Sequence, residues 1–367
     1  MRRRTPILLL GSALLLASGI AAQQANNPIT VIVTAAPVYD SLAALQGGER
    51  FPQGAQLMVV RSGQLTPFVP DFAASADASL SFDAATVLFA GKKNSGDPWQ
   101  IWSVPVQGGT PQRVVTSPAD AIRPLWMPGG RLVYAQREPA GFTLETAALD
   151  GSAGRQLSYL PGNFIPDDVL RDGRVLFESG FPLGAGATPE MFLVYADGSG
   201  VESVRCDHPS SAAQGRQHGR QLLSGDIVFT HGQRLSRFTS ALAGEAPITT
   251  PAGTLAGDVA EMPDGRWVLA LRRPGAKHFA LEAWRPGTAG TATLAKDTNL
   301  DMVEPVAVAP HATPNRHPSG LHDWKTGNLL ALNARLTRSG PLSATPTTVR
   351  VETLGADGQV VSLGTAP

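Results

Sequence analysis

The feature that most constrains the fold is a sequence unit that recurs about every 40 to 50 residues between positions 50 and 300. Each unit has an apolar segment, a tight turn, and a second apolar segment that usually contains an aromatic residue. The five turns lie at residues 81–85, 127–131, 170–174, 223–226 and 262–266. A repeat of this length made of short strands is typical of a β-propeller, in which each unit forms one four-stranded blade.

Five complete units predict five blades, and the two ends of the repeat region predict a sixth. Near the N terminus three predicted strands have no inner strand before them, namely residues 29–34, 56–61 and 65–69. Residues 302–308 form a lone predicted strand after the last complete unit. Pairing this strand with the N-terminal three would close the ring, since an open ring leaves two sheet edges unpaired. We therefore predict an all-β, six-bladed propeller over residues 23–310; seven blades are the alternative if residues 311–340 form a further sheet.

Residues 1–22 have the composition of a secretory signal peptide. Arg2, Arg3 and Arg4 precede an apolar stretch at residues 7–20, and small residues end at Ala22. We expect export through the Sec route, cleavage near Ala22, and a periplasmic or secreted mature chain without stable membrane insertion. The alternative is an N-terminal membrane anchor, although the apolar stretch is short for a spanning helix.

The composition changes after residue 310. Residues 311–319 are rich in Pro and His, and residues 328–336 and 347–354 have the pattern of strands. An Asp-Gly pair at residues 357–358 offers a hairpin turn into a strand at residues 360–363. We predict that residues 311–367 form a linker and a partial C-terminal β domain.

Charge and cysteine content exclude several classes of function. The 30 basic residues balance the 30 acidic residues, and no Lys/Arg cluster is present to follow a phosphate backbone. Nucleic acid is therefore not an expected partner. Cys206 is the single cysteine, which excludes an internal disulfide in an exported chain.

The repeat resembles that of the TolB-like propellers. The resemblance is carried by residues 83–116, which contain Phe-Ala-Gly-Lys, Ile-Trp-Ser-Val and Gly-Gly-Thr-Pro. Residues 124–131, Pro-Leu-Trp-Met-Pro-Gly-Gly-Arg, resemble the start of the next repeat in that family. The resemblance covers residues 50–300 and implies a rigid, six-bladed propeller.

A narrower resemblance is to exported bacterial proteins that carry the middle domain of the hydrazine synthase alpha subunit. It is carried by residues 29–34, 51–57, 303–310 and 319–322 with the strand that follows. Longer members of that group look like propellers followed by a β domain and a segment that attaches c-type haem. This chain departs from them, because Cys206 alone cannot supply the two thioethers of a Cys-x-x-Cys-His site. We therefore expect no cofactor in this chain.

Two groups of residues are candidate metal or nucleophile sites. His311, His317 and His322 lie in one Pro-rich stretch, and imidazole is a ligand for zinc, copper or iron. Cys206 and His208 are close enough for a thiolate activated by an imidazole. The alternative is that the histidines decorate a surface connection and that Cys206 is a small buried hydrophobic residue.

Acidic residues recur in or near the predicted innermost strands. They are Asp167, Asp168, Asp258, Glu261, Asp301 and Glu304. Inner strands of a propeller surround the central channel, so these side chains are candidates for binding a cation or a polar ligand there. The alternative is that they are solvated residues of turns.

No strong catalytic motif accompanies this fold. The Gly-x-Ser-x-Gly elbow of serine hydrolases is absent, and the Gly-rich segments lack the Lys-Ser/Thr of a phosphate-binding loop. We predict an exported scaffold that binds a protein or carbohydrate at one propeller mouth. The alternatives are a subunit or truncated form of a hydrazine synthase alpha-like redox protein whose haem lies outside this chain, and a lyase or hydrolase that works from the channel.

Overall fold

The structure is a computed structural model. It describes residues 31–61, 63–159, 162–181, 188–205, 215–316, 335–337, 340–344, 346–354 and 359–366. The predicted signal peptide therefore lies outside the described residues, as do Cys206, His208, His317 and His322. Apart from a short 3-10 helix, η1 (Ala44–Gln46), the regular elements of the described chain are strands, and no helix there has the length and apolarity needed to span a membrane.

The described residues of the first unit of the chain, residues 1–321, form 24 strands. In chain order they are β1 (Val31–Ala36), β2 (Gln56–Arg61), β3 (Gln64–Pro67), β4 (Ala74–Leu80), β5 (Thr86–Lys92), β6 (Gln100–Pro105), β7 (Gln112–Val115), β8 (Ala121–Met127), β9 (Arg131–Glu138), β10 (Gly141–Ala148), β11 (Arg155–Gln156), β12 (Phe164–Val169), β13 (Val175–Phe181), β14 (Thr188–Val194), β15 (Glu202–Ser203), β16 (Arg216–Gln221), β17 (Ile227–His231), β18 (Arg234–Phe238), β19 (Ala246–Ile248), β20 (Thr254–Glu261), β21 (Trp267–Arg272), β22 (Ala280–Trp284), β23 (Thr291–Ala295) and β24 (Asp301–Ala307).

These strands form six antiparallel four-stranded sheets, which confirms the six-bladed propeller. Blade 1 has the order β24-β1-β2-β3, and blades 2 to 6 take β4–β7, β8–β11, β12–β15, β16–β19 and β20–β23. The inner strands β4, β8, β12, β16, β20 and β24 contact one another in that order, and β24 contacts β4. The ring is therefore closed.

Strand β24 closes the ring by pairing with the N-terminal strand β1. Val31 lies opposite Ala307 and Ala36 opposite Asp301. Met302 and Val303 in β24 are fully buried. Apolar side chains on both strands are thus buried together, which confirms that the two ends of the repeat region share one blade.

The second strand of each blade is buried on both faces because the blades pack against one another. In β5, Val87, Leu88, Phe89 and Ala90 have no exposed surface. This explains why these segments are continuous apolar runs in the sequence rather than alternating apolar and polar. Aromatic side chains fill the space between strands and loops. The Phe89 ring, for example, packs edge-on against the Phe72 ring, with ring centroids 5.2 Å apart.

The two faces of the propeller differ. Because successive strands are antiparallel, the turns between first and second strands, including residues 81–85 and 170–174, lie on one face, which we call the turn face. The connections between second and third strands lie on the other, which we call the loop face. The longest described connection, residues 37–55 between β1 and β2, belongs to the loop face.

Residues 311–316, which the sequence placed in a linker, follow the turn face. The His311 amide donates to the Phe82 carbonyl (2.9 Å), and the Asn315 amide donates to the Arg171 carbonyl (2.7 Å). The propeller boundary at residue 310 stays a prediction.

The second unit, residues 322–367, has two described hairpins. Strand β25 (Leu336–Thr337) pairs with β26 (Gly340–Pro341), and β27 (Val349–Leu354) pairs with β28 (Val360–Ala366). The last hairpin lies where the sequence predicts strands on either side of the Asp-Gly pair.

Candidate channel site

Each inner strand is interrupted by a β-bulge about half-way along its length. The residues at the six bulges are Asp77, Arg123, Asp167, His218, Gly257 with Asp258, and Glu304. Five of these bulges therefore carry an ionisable residue at the equivalent position, and the sixth carries one directly after its glycine. A bulge re-aims a side chain away from the regular alternation of the strand, and here it brings charged groups into contact across the channel.

The bulges place several of these residues in the left-handed region of backbone conformation. The φ angle is 59° at Asp77, 53° at Arg123, 58° at His218, 54° at Glu304 and 68° at Gly257. For a residue other than glycine, this conformation costs of order 1 to 3 kcal/mol, and it persists only where the surrounding structure enforces it. The repetition of this strain in equivalent strands shows that the fold enforces it by the contacts between blades.

Arg123 is the hub of the channel network. Its guanidinium Nη1 lies 3.1 Å from Asp258 Oδ2, and Nη2 lies 3.2 Å from Asp167 Oδ1. Nη1 is also 3.6 Å from Glu304 Oε1. Strand β8 is thereby linked to blades 4, 6 and 1 across the channel.

Arg50 enters the channel from the loop face rather than from an inner strand. Its guanidinium pairs with Asp77 and with Glu304, and all three side chains are buried. Arg220, which is 23% exposed, completes the basic groups, with Nη2 3.0 Å from Asp258 Oδ2.

The carboxylates also hold the bulges together. Asp77 Oδ2 accepts from the Arg123 amide (2.9 Å), and Asp167 Oδ2 accepts from the Gly219 amide (3.0 Å). These amides have lost their partners in the regular ladder, and a buried amide without a partner is costly. Each carboxylate therefore joins one blade to the next.

His218 stands apart from this satisfied network. It is 4% exposed, yet neither ring nitrogen has a hydrogen-bond partner among the described residues. Nδ1 lies 3.5 Å from Asp258 Oδ1. The backbone of His218 is held by Glu178, whose Oε2 accepts from the His218 amide at 3.3 Å.

The pKa values of these groups diverge because their surroundings differ. Burial and the neighbouring Glu178 raise the pKa of Asp167 well above its ordinary value. Burial opposes ionisation of Asp258 too, but Arg123 and Arg220 outweigh it and hold the pKa of Asp258 well below the ordinary value. Burial opposes protonation of His218, but Glu178, Asp258 and Asp167 outweigh it and raise its pKa. Such opposed shifts among close groups are common at functional sites.

Residues 37–55 cross the loop-face mouth of the channel. The Leu45 carbonyl accepts from Asn163 of blade 4 (3.0 Å), and the Gly47 carbonyl accepts from Arg137 of blade 3 (2.9 Å). At the start of the loop, Tyr39 lies beside the bulge of blade 6, and its buried hydroxyl has no hydrogen-bond partner among the described residues. The loop therefore closes this end of the channel.

A pocket remains between this loop and blades 2 and 3. It is a shallow depression with a cavity volume of about 20 Å³. Phe51, Trp99 and Phe142 form its apolar walls, and Asp120 and Arg137 line it with opposite charges. The guanidinium of Arg137 lies 4.3 Å from the centre of the Phe142 ring.

The acidic residues singled out in the sequence fall into two groups. Asp167, Asp258 and Glu304 lie in the channel network, and Asp168 borders it, accepting from the Gln221 amide at 2.8 Å. Glu261 instead accepts from the Leu223 amide (2.6 Å) on the turn face.

Asp301 and His311 also lie outside the network. Asp301 accepts from the Phe279 amide (2.9 Å) and lies 3.2 Å from His278 Nδ1 on the loop face. The exposed His311 ring packs edge-on against Phe82, with centroids 5.3 Å apart. The partners proposed for His311 in a metal site, His317 and His322, are outside the described residues.

Sequence reasoning missed several members of the network. They are Tyr39, Arg50, Asp77, Arg123, Glu178 and Arg220, together with the channel position of His218. One signal was available: an ionisable residue stands four positions before the first turn residue in three blades, namely Asp77 before Ser81, Arg123 before Met127 and Asp258 before Met262. No repeat signal marks Arg50, because it lies in a loop that only blade 1 has.

Solved structures with the same arrangement of blades include TolB from Acinetobacter baumannii, with a TM-score of 0.54 and 13% sequence identity over 80% of this chain and 71% of that chain. The fold is that of a TolB-like propeller. A chain of hydrazine synthase from Kuenenia stuttgartiensis matches with a TM-score of 0.67 and 16% identity, over 79% of this chain and 47% of that chain. The present chain thus spans about half the length of the hydrazine synthase chain that it matches.

A third similar structure is a chain of the nidogen/laminin complex, with a TM-score of 0.55 and 10% identity over 77% of this chain and all of that chain. No model of a protein family matches the sequence. No curated protein matches it either. Both expected resemblances, to TolB-like propellers and to hydrazine synthase, are confirmed as likenesses of fold.

Proposed function

We propose that this chain is an exported propeller that binds a protein partner through its loop face and is non-catalytic by itself. The observation that carries the proposal is the pocket between residues 37–55 and blades 2 and 3. Its aromatic walls, beside the ion pair of Asp120 and Arg137, offer a partner a shallow surface of mixed apolar and charged character. A carbohydrate is the other ligand class that such a pocket suits, and the test below separates the two.

Charged side chains fill the channel, and this supports a binding role for the protein rather than catalysis inside the channel. Arg50, Arg123 and the carboxylates around them occupy its centre, and residues 37–55 cover its loop-face end. A substrate of ordinary size would have to displace buried ion pairs, which costs several kcal/mol for each charge left unpaired.

The contrast between the two faces supports the choice of the loop face. The described turns between first and second strands are short and alike, whereas the loop face carries residues 37–55 and other connections of unequal length. Loops of varied length on a rigid scaffold are the usual place for binding residues. The similar chain from the nidogen/laminin complex, a structure of two proteins bound to each other, is further support for a protein partner.

Photo-cross-linking from single positions tests this proposal. We would place a photoreactive residue at the exposed Gln46 or Gln53 on the loop face, and at the exposed Thr288 on the turn face as the matched control. In cells that export the protein, we expect a discrete protein adduct from the two loop-face positions and none from Thr288. Equal adducts from both faces would contradict the proposal, and glycan binding that is lost in Arg137→Ala would assign the pocket to a carbohydrate.

The likeness to a hydrazine synthase chain favours one second candidate, in which this propeller is part of a larger redox assembly. The haem would then be attached to a Cys-x-x-Cys-His segment outside the 367 residues described by the sequence. Isolation of the protein with its native partners tests it: covalent c-type haem in the purified assembly supports this candidate, and an assembly without haem excludes it.

A further inference from the structure

We propose that Asp167, His218 and Asp258 form a site for one divalent transition-metal ion, of which Zn²⁺ is the probe. These residues belong to the inner strands β12, β16 and β20, so the ion would link blades 4, 5 and 6. One imidazole nitrogen and one oxygen from each carboxylate lie within 4.8 Å of one another. Imidazole and carboxylate together are ligands for zinc, and for manganese or iron(II).

The unsatisfied ring of His218 is the first observation that calls for a ligand. Both nitrogens are buried without a hydrogen-bond partner among the described residues. Native proteins leave few buried polar atoms in this state, since each costs about 1 to 3 kcal/mol. A metal bond to one nitrogen removes that cost at that atom.

The spacing of the atoms is the second observation. His218 Nδ1 and Asp258 Oδ1 are 3.5 Å apart, too far for a good hydrogen bond. Two ligands at about 2.0 to 2.1 Å from a tetrahedral zinc lie about 3.4 Å from each other. The separation of this pair therefore fits two ligands that share one ion.

The charge around the site is the third observation. Six carboxylates meet at the channel, from Asp77, Asp167, Asp168, Glu178, Asp258 and Glu304. Three guanidinium groups face them, from Arg50, Arg123 and Arg220. The excess of negative charge accommodates a divalent cation.

Arg123 and Glu178 have the positions of outer partners of such a site. Arg123 holds Asp167 and Asp258 from the side of blade 3, and Glu178 holds the backbone of His218. Groups of this kind fix the orientation of metal ligands. The three ligands are thus pre-positioned by contacts that do not require the ion.

Zinc titration of the chelator-treated mature protein tests the proposal. We expect one Zn²⁺ per chain by calorimetry and a higher melting temperature with zinc. His218→Asn removes the imidazole while keeping a residue that tolerates positive φ, and it should weaken zinc binding at least about 100-fold, beyond the 10- to 100-fold typical of losing an outer partner. The matched controls His278→Asn and His311→Asn should bind zinc as the parent does.

Binding that survives in His218→Asn, or that is lost in His311→Asn, would overturn the assignment, as would no stoichiometric binding by the parent. If His218→Asn fails to fold, X-ray absorption of the parent loaded with Co²⁺ decides the question. One imidazole with oxygen ligands supports the site. A thiolate ligand, which Cys206 alone can supply, or a shell without imidazole refutes it.

Discussion

Removal of the guanidinium of Arg123 is the sharpest test of the channel network. In Arg123→Met the side chain keeps much of its volume, but Asp167, Asp258 and Glu304 lose a partner at 3.1 to 3.6 Å. At an effective dielectric constant of about 20, each contact corresponds to about 5 kcal/mol of gross Coulomb energy. Much of this offsets the cost of burying the charges, so the net loss expected on removing one partner is about 3 to 5 kcal/mol.

Urea unfolding followed by fluorescence measures this loss. With an m value of about 3 kcal/mol/M, the midpoint should fall by about 1 to 1.7 M at neutral pH. The loss should shrink as the pH is lowered toward 5, because burial raises the pKa values of Asp167 and Glu304, two of the carboxylates left unpaired. The variant is therefore most stable below those values and loses stability as the pH rises through them.

The matched control is Arg266→Met. Arg266 lies 2.8 Å from Asp264, but the two side chains are 32% and 39% exposed, so its loss should be at most about 1 kcal/mol. Equal midpoints for Arg123→Met and Arg266→Met would refute the view that the channel network joins the blades.

Three further predictions concern the ends of the chain and its buried groups. N-terminal sequencing of the exported protein should find a start near Gln23, and retention of the first residues would favour a membrane anchor. Met302→Ala, at a fully buried side chain of the closing strand β24, should lower the free energy of unfolding by about 2 to 5 kcal/mol. Leu242→Ala, at a side chain that is 92% exposed, should change it by less than about 0.5 kcal/mol. Similar losses for the two variants in urea unfolding would count against ring closure by β24. Burial raises the pKa of Tyr134 to about 12. Its neutral form therefore contributes stability that is complete below about pH 10 and is lost as the pH rises through about 12. Tyr134→Phe should remove a late step from the tyrosinate absorbance titration, and an unchanged titration would contradict this.

The fold was predictable because its signals are local. Tight turns such as residues 127–131 repeat at a fixed interval, and the closing strand follows from counting strands at each end. The channel was only partly predictable, because it depends on bulges that shift the register of each inner strand. Glu261 and Asp301 lie near the ends of inner strands and so stay at the faces, whereas Asp258 lies at a bulge and reaches the channel. Arg50 reaches it from a distant loop, which no local pattern marks.

Blade 1 combines the last strand of the propeller, β24, with its first three strands, and this has a consequence for biogenesis. Thr34 Oγ1 lies 3.5 Å from Glu304 Oε2, a contact between residues 270 positions apart. If the chain is exported as we propose, it crosses the membrane unfolded and N terminus first, so β1 waits for almost the whole polypeptide before its neighbour β24 arrives. Such long-range pairing makes assembly slow and leaves strand edges open to other chains in the meantime. In an exported chain, protection of the nascent sheet from aggregation would then depend on chaperones of the receiving compartment until residue 307 has arrived.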